Sequence, residues 1–382
     1  MNPCVLALLC LLPGEELQES SKSWHFTPPF SLFAPVPWSG GPLRPPERSI
    51  VESGPDGHVY AASWVAEPVG GTYDIYVRAK EPNGPWGPPV KVSNERWWLV
   101  FGGEVRLAVA GNNTLVVAWA GSAGAAIAWS TDFGRTFRGP VDVSQGIPGL
   151  DIGVAFDGSN RLHVLWSGVD AQGVREMFYT YSLGSAAGSL GGIDPGRFAP
   201  MWQLTNDAGL QDQPSIAADR SGHVYMSWLT SIPSGAYLSE GLIVRPGRDL
   251  RFRTAVLEGE MQVNTSPGGY AAFLYSRQGA HLRVAPYLIL ALGSEFVLER
   301  PVPTHAYQAG GGAPRSIEVC DDGTIAVALG CSDKVGANLF TELTLSRDHG
   351  RTFTDPVQVP AFQNDLGHWE TVRPSLTVDP RG

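Results

Sequence analysis

The chain has 382 residues, 37 acidic against 27 basic side chains, and a formal net charge of −10. That balance, with no run of Lys or Arg, excludes a phosphate-binding stripe and with it a nucleic-acid partner. The content of 46 Gly, 31 Pro and 12 Trp excludes a helical bundle and fits many short strands joined by turns.

The first predicted element is an apolar run, Val5 to Leu12, within residues 1–21. A membrane-spanning helix needs about 20 apolar residues, so this run is too short to cross, and no integral membrane span is expected. It resembles the core of a signal-like leader, although no basic residue precedes it and no small-residue cleavage site follows. An extracellular or cell-surface location is the expectation it carries. Cys4 and Cys10 fall in this run, while Cys320 and Cys331 bracket the hairpin-like "CDDGTIAVALGC". A disulfide requires Cα atoms within about 7 Å, which opposite ends of a hairpin do not offer. All four are read as free thiols.

Residues 22–382 read as a single repeat domain, with one phrase recurring about every 50 residues. It is a strand, a Gly-containing turn and an aromatic-ended strand: "RSIVESGPDGHVYAASW" from Arg48, "EVRLAVAGNNTLVVAW" from Glu104, "DIGVAFDGSNRLHVLW" from Asp151. "QPSIAADRSGHVYMSW" from Gln213, "EMQVNTSPGGYAAFLY" from Glu260 and "RSIEVCDDGTIAVAL" from Arg315 continue it, and "RPSLTVDPRG" from Arg373 is a last partial copy. Between copies stands a second hairpin, clearest as "AAIAWSTDFGRTFRGPVDV" and "LFTELTLSRDHGRTFTDPVQV". Four short strands per unit, repeated radially, predict an all-β fold, a β-propeller of six (or seven) four-stranded blades. "HFTPPFSLF" from His25 echoes "TFTDPVQV" from Thr352, so Phe26 to Leu32 is expected to pair as an outer strand, with Arg373 onward supplying an inner one. Closure as six blades with spare end strands and closure as a shortened seventh blade both stay open.

The octapeptides "STDFGRTF" (Ser130 to Phe137) and "SRDHGRTF" (Ser346 to Phe353) explain themselves as turns. Ser and Asp side chains bond the turn backbone, Gly134 and Gly350 accept a positive φ, and Phe137 and Phe353 pack into the blade. Catalysis is therefore not expected of Asp132 or Asp348. In a propeller the inner strands line a central channel, and ligands gather where those strands begin. Aligning the copies on the turn places Arg48, Glu104, Asp151, Gln213, Glu260, Arg315 and Arg373 there. Arg48, Arg315 and Arg373 are then neighbours around the ring, facing Glu104, Asp151 and Glu260. Converging guanidinium groups suit a substrate carboxylate, because they are planar, bidentate and permanently charged. The same residues also suit a salt-bridged channel mouth with no ligand. Glu104, Asp151 and Glu260 are the acids from which an acid and a base or nucleophile for glycoside hydrolysis could be drawn.

The octapeptide S-x-D-x-G-x-T-F resembles the Asp-box (BNR) turn of the sialidase superfamily. That resemblance covers the chain from about residue 22 onward. It implies a sialidase-like propeller, often secreted and often acting on carbohydrate, acidic glycans among them. "RSIVESGPDG" and "RPSLTVDPRG" look like the phrase carrying the first Arg of the family's carboxylate-binding triad, and "YDIYVRA" looks like the strand that follows it. Arg48 is thereby the leading substrate-binding candidate, with Arg315 and Arg373 as partners. The sequence departs from the pattern in lacking Pro after Arg48 and an Asp before "DIYV"; the nearest carboxylates are Glu67 and Asp74. For the family's Tyr nucleophile and Glu partner the candidates are Tyr270, Tyr275 and Glu260. Tyr275, however, takes the repeat place of Trp119, Trp166 and Trp228, which makes it core. His58 and His223 open equivalent second strands and are repeat positions before they are metal ligands. No H-E-x-x-H, C-x-x-C pair or phosphate loop is present, so no cofactor or metal is expected. Two functions stay open: a glycoside hydrolase of exo-sialidase type, and a non-catalytic propeller for glycan or protein binding or a cell-surface or virion structure.

Overall fold

The computed structural model describes residues 36–38, 41–44, 49–66, 73–93, 105–121, 123–183, 198–206, 209–231, 237–245, 248–255, 261–266, 268–278, 284–292, 295–304, 308–309, 315–332, 339–359 and 375–377. It is a β-propeller of six antiparallel four-stranded sheets laid down in chain order. The inner strands are Ser49–Ser53, Val105–Val109, Gly149–Phe156, Leu210–Ala218, Gln262–Thr265 and Arg315–Val319. From the first blade to the sixth, each packs against the inner strand of the next, which arranges the sheets around a channel. The sixth sheet carries one additional short strand, Gln308–Ala309, and a hairpin of Val36–Trp38 and Gly41–Arg44 packs on the second strand of the first blade.

Every inner hairpin turns in the same way. One residue per turn, Gly57, Asn113, Asn160, Gly222, Gly269 and Gly323, has a φ between 58° and 94°. Only Gly and Asn occupy these left-handed positions, as the steric cost to other side chains requires. Because all six inner strands run into such a turn, all begin on one face of the disc and end on the other.

The hydrophobic core is a set of layers, each shared by two neighbouring blades. Tyr60, Trp64, Leu115 and Trp119 join the first blade to the second, and Ile127, Ile152, Val164 and Trp166 join the second to the third. The later layers follow the same plan. Trp119, Trp166 and Trp228 stand five residues after their turn bonds and are fully buried, and Tyr275 fills the same step in the fifth blade. The core reading of Tyr275 therefore holds: its ring packs at a tilt on Tyr287, 5.8 Å between centres, and its hydroxyl donates to Glu299.

The seam between the sixth blade and the first is closed by the C-terminal segment Ser375 to Thr377. Val51 N–H donates to Ser375 Oγ at 3.1 Å, Leu376 N–H to Ser316 Oγ at 2.9 Å, and Thr377 Oγ to Ser53 Oγ at 2.8 Å. The same contact joins two complete blades elsewhere, where Val263 N–H donates to Ser215 Oγ at 3.1 Å. Leu376 is buried against Ala326, Ala328, Leu343 and Val359 of the sixth blade. The last partial copy thus fills a seventh radial place with one strand-like segment. Phe26 to Leu32, Cys4 and Cys10 lie outside the described residues. Cys320 and Cys331 are free thiols, and burial pushes both up to about 12.

Candidate functional site

The mouth of the channel, where inner strands begin, is best defined at the third and fourth blades. Asp151 faces Ser167 and Asp212 faces Leu229, each six residues beyond the turn bond of its own blade. The two aspartates are therefore equivalent positions on adjacent inner strands. Asp151 follows a register shift and Asp212 precedes one, and both accept a hydrogen bond from the next residue's own N–H: Ile152 to Asp151 at 2.8 Å, Gln213 to Asp212 at 3.0 Å. Asp151 is buried, whereas Asp212 is partly open and pairs with Arg175 at 2.6 Å. Arg175 starts the third strand of its blade and so comes from the same face. Ser167 Oγ donates to the Gln211 carbonyl at 2.7 Å, and Thr230 Oγ to the Gln211 side-chain oxygen at 2.6 Å, which fixes the backbone beneath the pair.

This geometry re-registers the sequence alignment. Gln213 occupies the extra position of a β-bulge, with φ +55°, so Asp212 takes the place that ungapped counting gave to Gln213. Arg315 is shifted too. It faces Leu329, five residues before the bond at Cys320, a step that Ser49 and not Arg48 holds in the first blade. Arg48, Arg373, Glu104, Glu260 and Glu67 lie outside the described residues.

Asp74 is a structural group. It is buried, one carboxylate oxygen meets Lys91 Nζ and the other accepts from Ser93 Oγ at 2.8 Å. Ser93 Oγ in turn takes the Ile75 N–H at 3.0 Å. Glu176 and Thr205 repeat the device in the third blade, with Thr205 Oγ taking the Met177 N–H at 2.9 Å. A carboxylate locked in a recurrent strand clamp is not free to shuttle protons. Tyr270 is remote from the mouth, since its ring packs at a tilt on His349 at the turn face, 4.4 Å between ring centres.

Deeper in the channel Glu52, Asn264 and Glu318 hold the same step of three inner strands, two residues before the turn bond. Loss of hydration in the channel raises both glutamates above the usual carboxylate range, and repulsion from Glu52 raises Glu318 further. Both therefore favour the protonated form relative to free glutamate. The sequence signal was a Glu within otherwise apolar inner strands, "SIVES" and "SIEV".

The turns of the two octapeptides lie on the face opposite the mouth. Ser130 Oγ bonds Asp132 at 2.7 Å and receives the Gly134 N–H at 2.8 Å; Asp132 receives Thr136 N–H at 2.9 Å and Thr136 Oγ at 2.6 Å. Ser346, Asp348, Gly350 and Thr352 repeat this net. Phe133 stacks on His58 of the preceding blade at 4.6 Å, as His349 does on Tyr270. His58 and His223 bond Asp56 and Asp219, each at 2.8 Å, at the hairpin turns. They serve the turn as repeat positions. Among the described residues no group of three or more His, Cys, Asp or Glu side chains could hold a metal ion, and no helix is long and apolar enough to cross a membrane.

No protein-family model and no curated protein sequence matches this chain. Solved structures do resemble it. An α-L-arabinanase from Penicillium chrysogenum complexed with arabinobiose is 13% identical with a TM-score of 0.52, covering 81% of this chain and 96% of that one. An ulvan lyase, a polysaccharide lyase bound to -[GlcA(1-4)Rha3S]-, is 12% identical with a TM-score of 0.51, covering 84% and 82%. An α-L-arabinofuranosidase from Fusarium graminearum complexed with an iminosugar inhibitor is 13% identical with a TM-score of 0.50, covering 81% and 95%. At these identities the likeness establishes the propeller fold alone.

Proposed function

We propose that this chain is a glycan-directed β-propeller that takes its ligand at the channel mouth. The observation that carries the reading is the pair Asp151 and Asp212, equivalent on adjacent inner strands, with Arg175 against one of them. Carboxylates accept hydrogen bonds from sugar hydroxyls, and two of them flanking a glycosidic bond are the acid and the base or nucleophile of its hydrolysis. Propellers of the same fold whose names state action on arabinan and ulvan support a saccharide over other ligands. The finer reading is a glycoside hydrolase of the sialidase-like Asp-box type, secreted or at the cell surface, acting on an acidic sugar whose carboxylate meets Arg48 and Arg373, with Arg315 one step out of register with Arg48. Loss of one bidentate guanidinium contact would then weaken binding by about 1.5–3 kcal/mol, roughly ten- to a hundred-fold, and Lys would not restore it.

A second reading, binding without turnover, is favoured by the ion pair that engages Asp212 and by the clamp that removes Asp74 from chemistry. A glycan-binding screen followed by product analysis of each hit separates the two. Binding with released sugar supports the hydrolase, binding without product supports the lectin-like propeller, and no binding rejects both.

A further inference from the structure

In the first three blades one residue of the outer strand donates its N–H back to the third strand: Val92 to Ile75, Val143 to Ala125 and Leu204 to Met177, each at 2.8 Å. Two residues before it stand Val90, Val141 and Trp202, and in the sequence "VKV" and "VDV" become "WQL". The residue paired with each changes as well, from Val77 and Ile127 to Tyr179. An aliphatic pair meets the blade plan at this step, so folding does not require these rings. Val90 and Val141 are half-buried, whereas Trp202 leaves 48% of its surface in solvent.

A lone exposed indole is ordinary on a protein surface, but Trp202 is held in place and has company. It packs at a tilt on Tyr179, 5.8 Å between ring centres, and edge-on against Tyr181 at 6.1 Å. The Tyr179 hydroxyl shares a 2.7 Å hydrogen bond with the buried His163, which fixes the base of the cluster. Leu183, two residues beyond Tyr181 and so on its face, is 43% exposed. The exposed Arg161 lays its guanidinium over Tyr181, 5.2 Å from the ring centre, and makes no ion pair among the described residues. The turn of the fourth blade lies against that of Arg161, where Gly158 N–H donates to the Asp219 carbonyl at 3.2 Å. It brings the exposed Arg220, which reaches Asp321 only at 4.0 Å.

We propose that this cluster, on the turn-side rim between the third and fourth blades, is a second glycan site. The C–H face of a sugar ring stacks on Trp202, whose ring face carries partial negative charge, and the carboxylate or sulfate of an acidic sugar takes Arg161. The exposed parts of Trp202 and Leu183 amount to roughly 200 Å², well short of the about 800 Å² per partner of a stable protein interface and enough for one or two sugar rings. The site is separate from the mouth and does not rest on it: Tyr181 ends the strand that Arg175 begins, about 20 Å away. One ring on one indole holds weakly, so the platform engages polymers, whose repeats rebind, while short oligosaccharides report the mouth.

The test measures retardation of the full chain in gels carrying polygalacturonate, carrageenan or arabinan, which offer carboxylates, sulfates and no charge. Wild type is expected to bind one of the acidic polymers, which names the acidic group, at least ten-fold more tightly than arabinan. Trp202→Val installs the residue of the first two blades, so it is expected to melt within a few degrees of wild type yet lose ten-fold or more in affinity. Trp202→Phe, which keeps a ring, is expected to retain most of the affinity, and Arg161→Gln to lose the preference for the acidic polymer. Loss in Trp202→Val with none in Asp212→Asn supports the rim site whatever the mouth binds. Loss in Asp212→Asn with none in Trp202→Val overturns the rim site and leaves the mouth standing. Wild type bound by no polymer also overturns it, as does self-association in sedimentation that Trp202→Val abolishes without any polymer binding, which assigns the patch to a second copy.

Discussion

At the scale of single residues, the carboxylates of this protein divide by what holds them. Burial works against ionisation of Asp132, but hydrogen bonds from Thr136 and Ser130 outweigh it and lower its pKa. The Thr352 hydroxyl and N–H hold Asp348 down at about 2. Both therefore contribute stability that is full above the ordinary aspartate value and is lost as pH falls from there through the lowered one. Asp132→Ala is expected to cost about 1 kcal/mol, a melting shift of a few degrees, because the net it anchors is largely open to water. Calorimetry of the variant beside wild type checks this. Saccharide binding by the same variant should be unchanged, since Asp132 stands on the face away from the mouth. The thiols of Cys320 and Cys331, held high by burial, are expected to resist alkylation at neutral pH in the folded protein. Labelling under native conditions that modifies either as fast as a free thiol would contradict their placement.

At the scale of elements, the blades are joined through shared layers and not through one central core. Trp166 is fully buried between the second and third blades, so Trp166→Ala is expected to destabilise by about 3–5 kcal/mol. Denaturant titration measures it directly. Among the described residues, the closing seam is held by three hydrogen bonds and the Leu376 side chain. Glu52 and Glu318 stand on the two inner strands that flank it. The folded chain keeps protons there that the unfolded chain releases, so their contribution is full below the ordinary glutamate value and is lost as pH rises through the raised ones. Melting is expected to fall between pH 5 and 8 in wild type, and Glu318→Gln should flatten that slope. An identical slope in the variant would show that the pair does not control it.

At the scale of the whole molecule, the propeller was legible because its period was written repeatedly: the Gly or Asn of each turn, the aromatic late in five of the six second strands, and the octapeptide turns all recur. The layer plan followed from Trp119, Trp166, Trp228 and Tyr275 sharing one step. The site was less legible because counting cannot see a bulge. One added residue at Gln213 moved Asp212 into the place of Asp151, and the absence of one before the sixth blade's turn put Arg315 a step away from Arg48. Pro214 was the available signal, since Pro within a strand marks an edge or a bulge. Arg175 carried no signal, because it reaches Asp212 from a neighbouring blade and belongs to no repeated phrase.

The central claim is that the mouth, built around Asp151 and Asp212, binds a saccharide. Its most direct measurement is equilibrium binding of a broad glycan panel to wild type, Asp151→Asn and Asp212→Asn, with Asp132→Ala as the control on the opposite face. A saccharide is expected to be bound by wild type and by Asp132→Ala and its affinity to fall ten-fold or more in both mouth variants, whose melting temperatures stay within a few degrees of wild type. Equal binding by wild type and both mouth variants, or none by wild type, would contradict it.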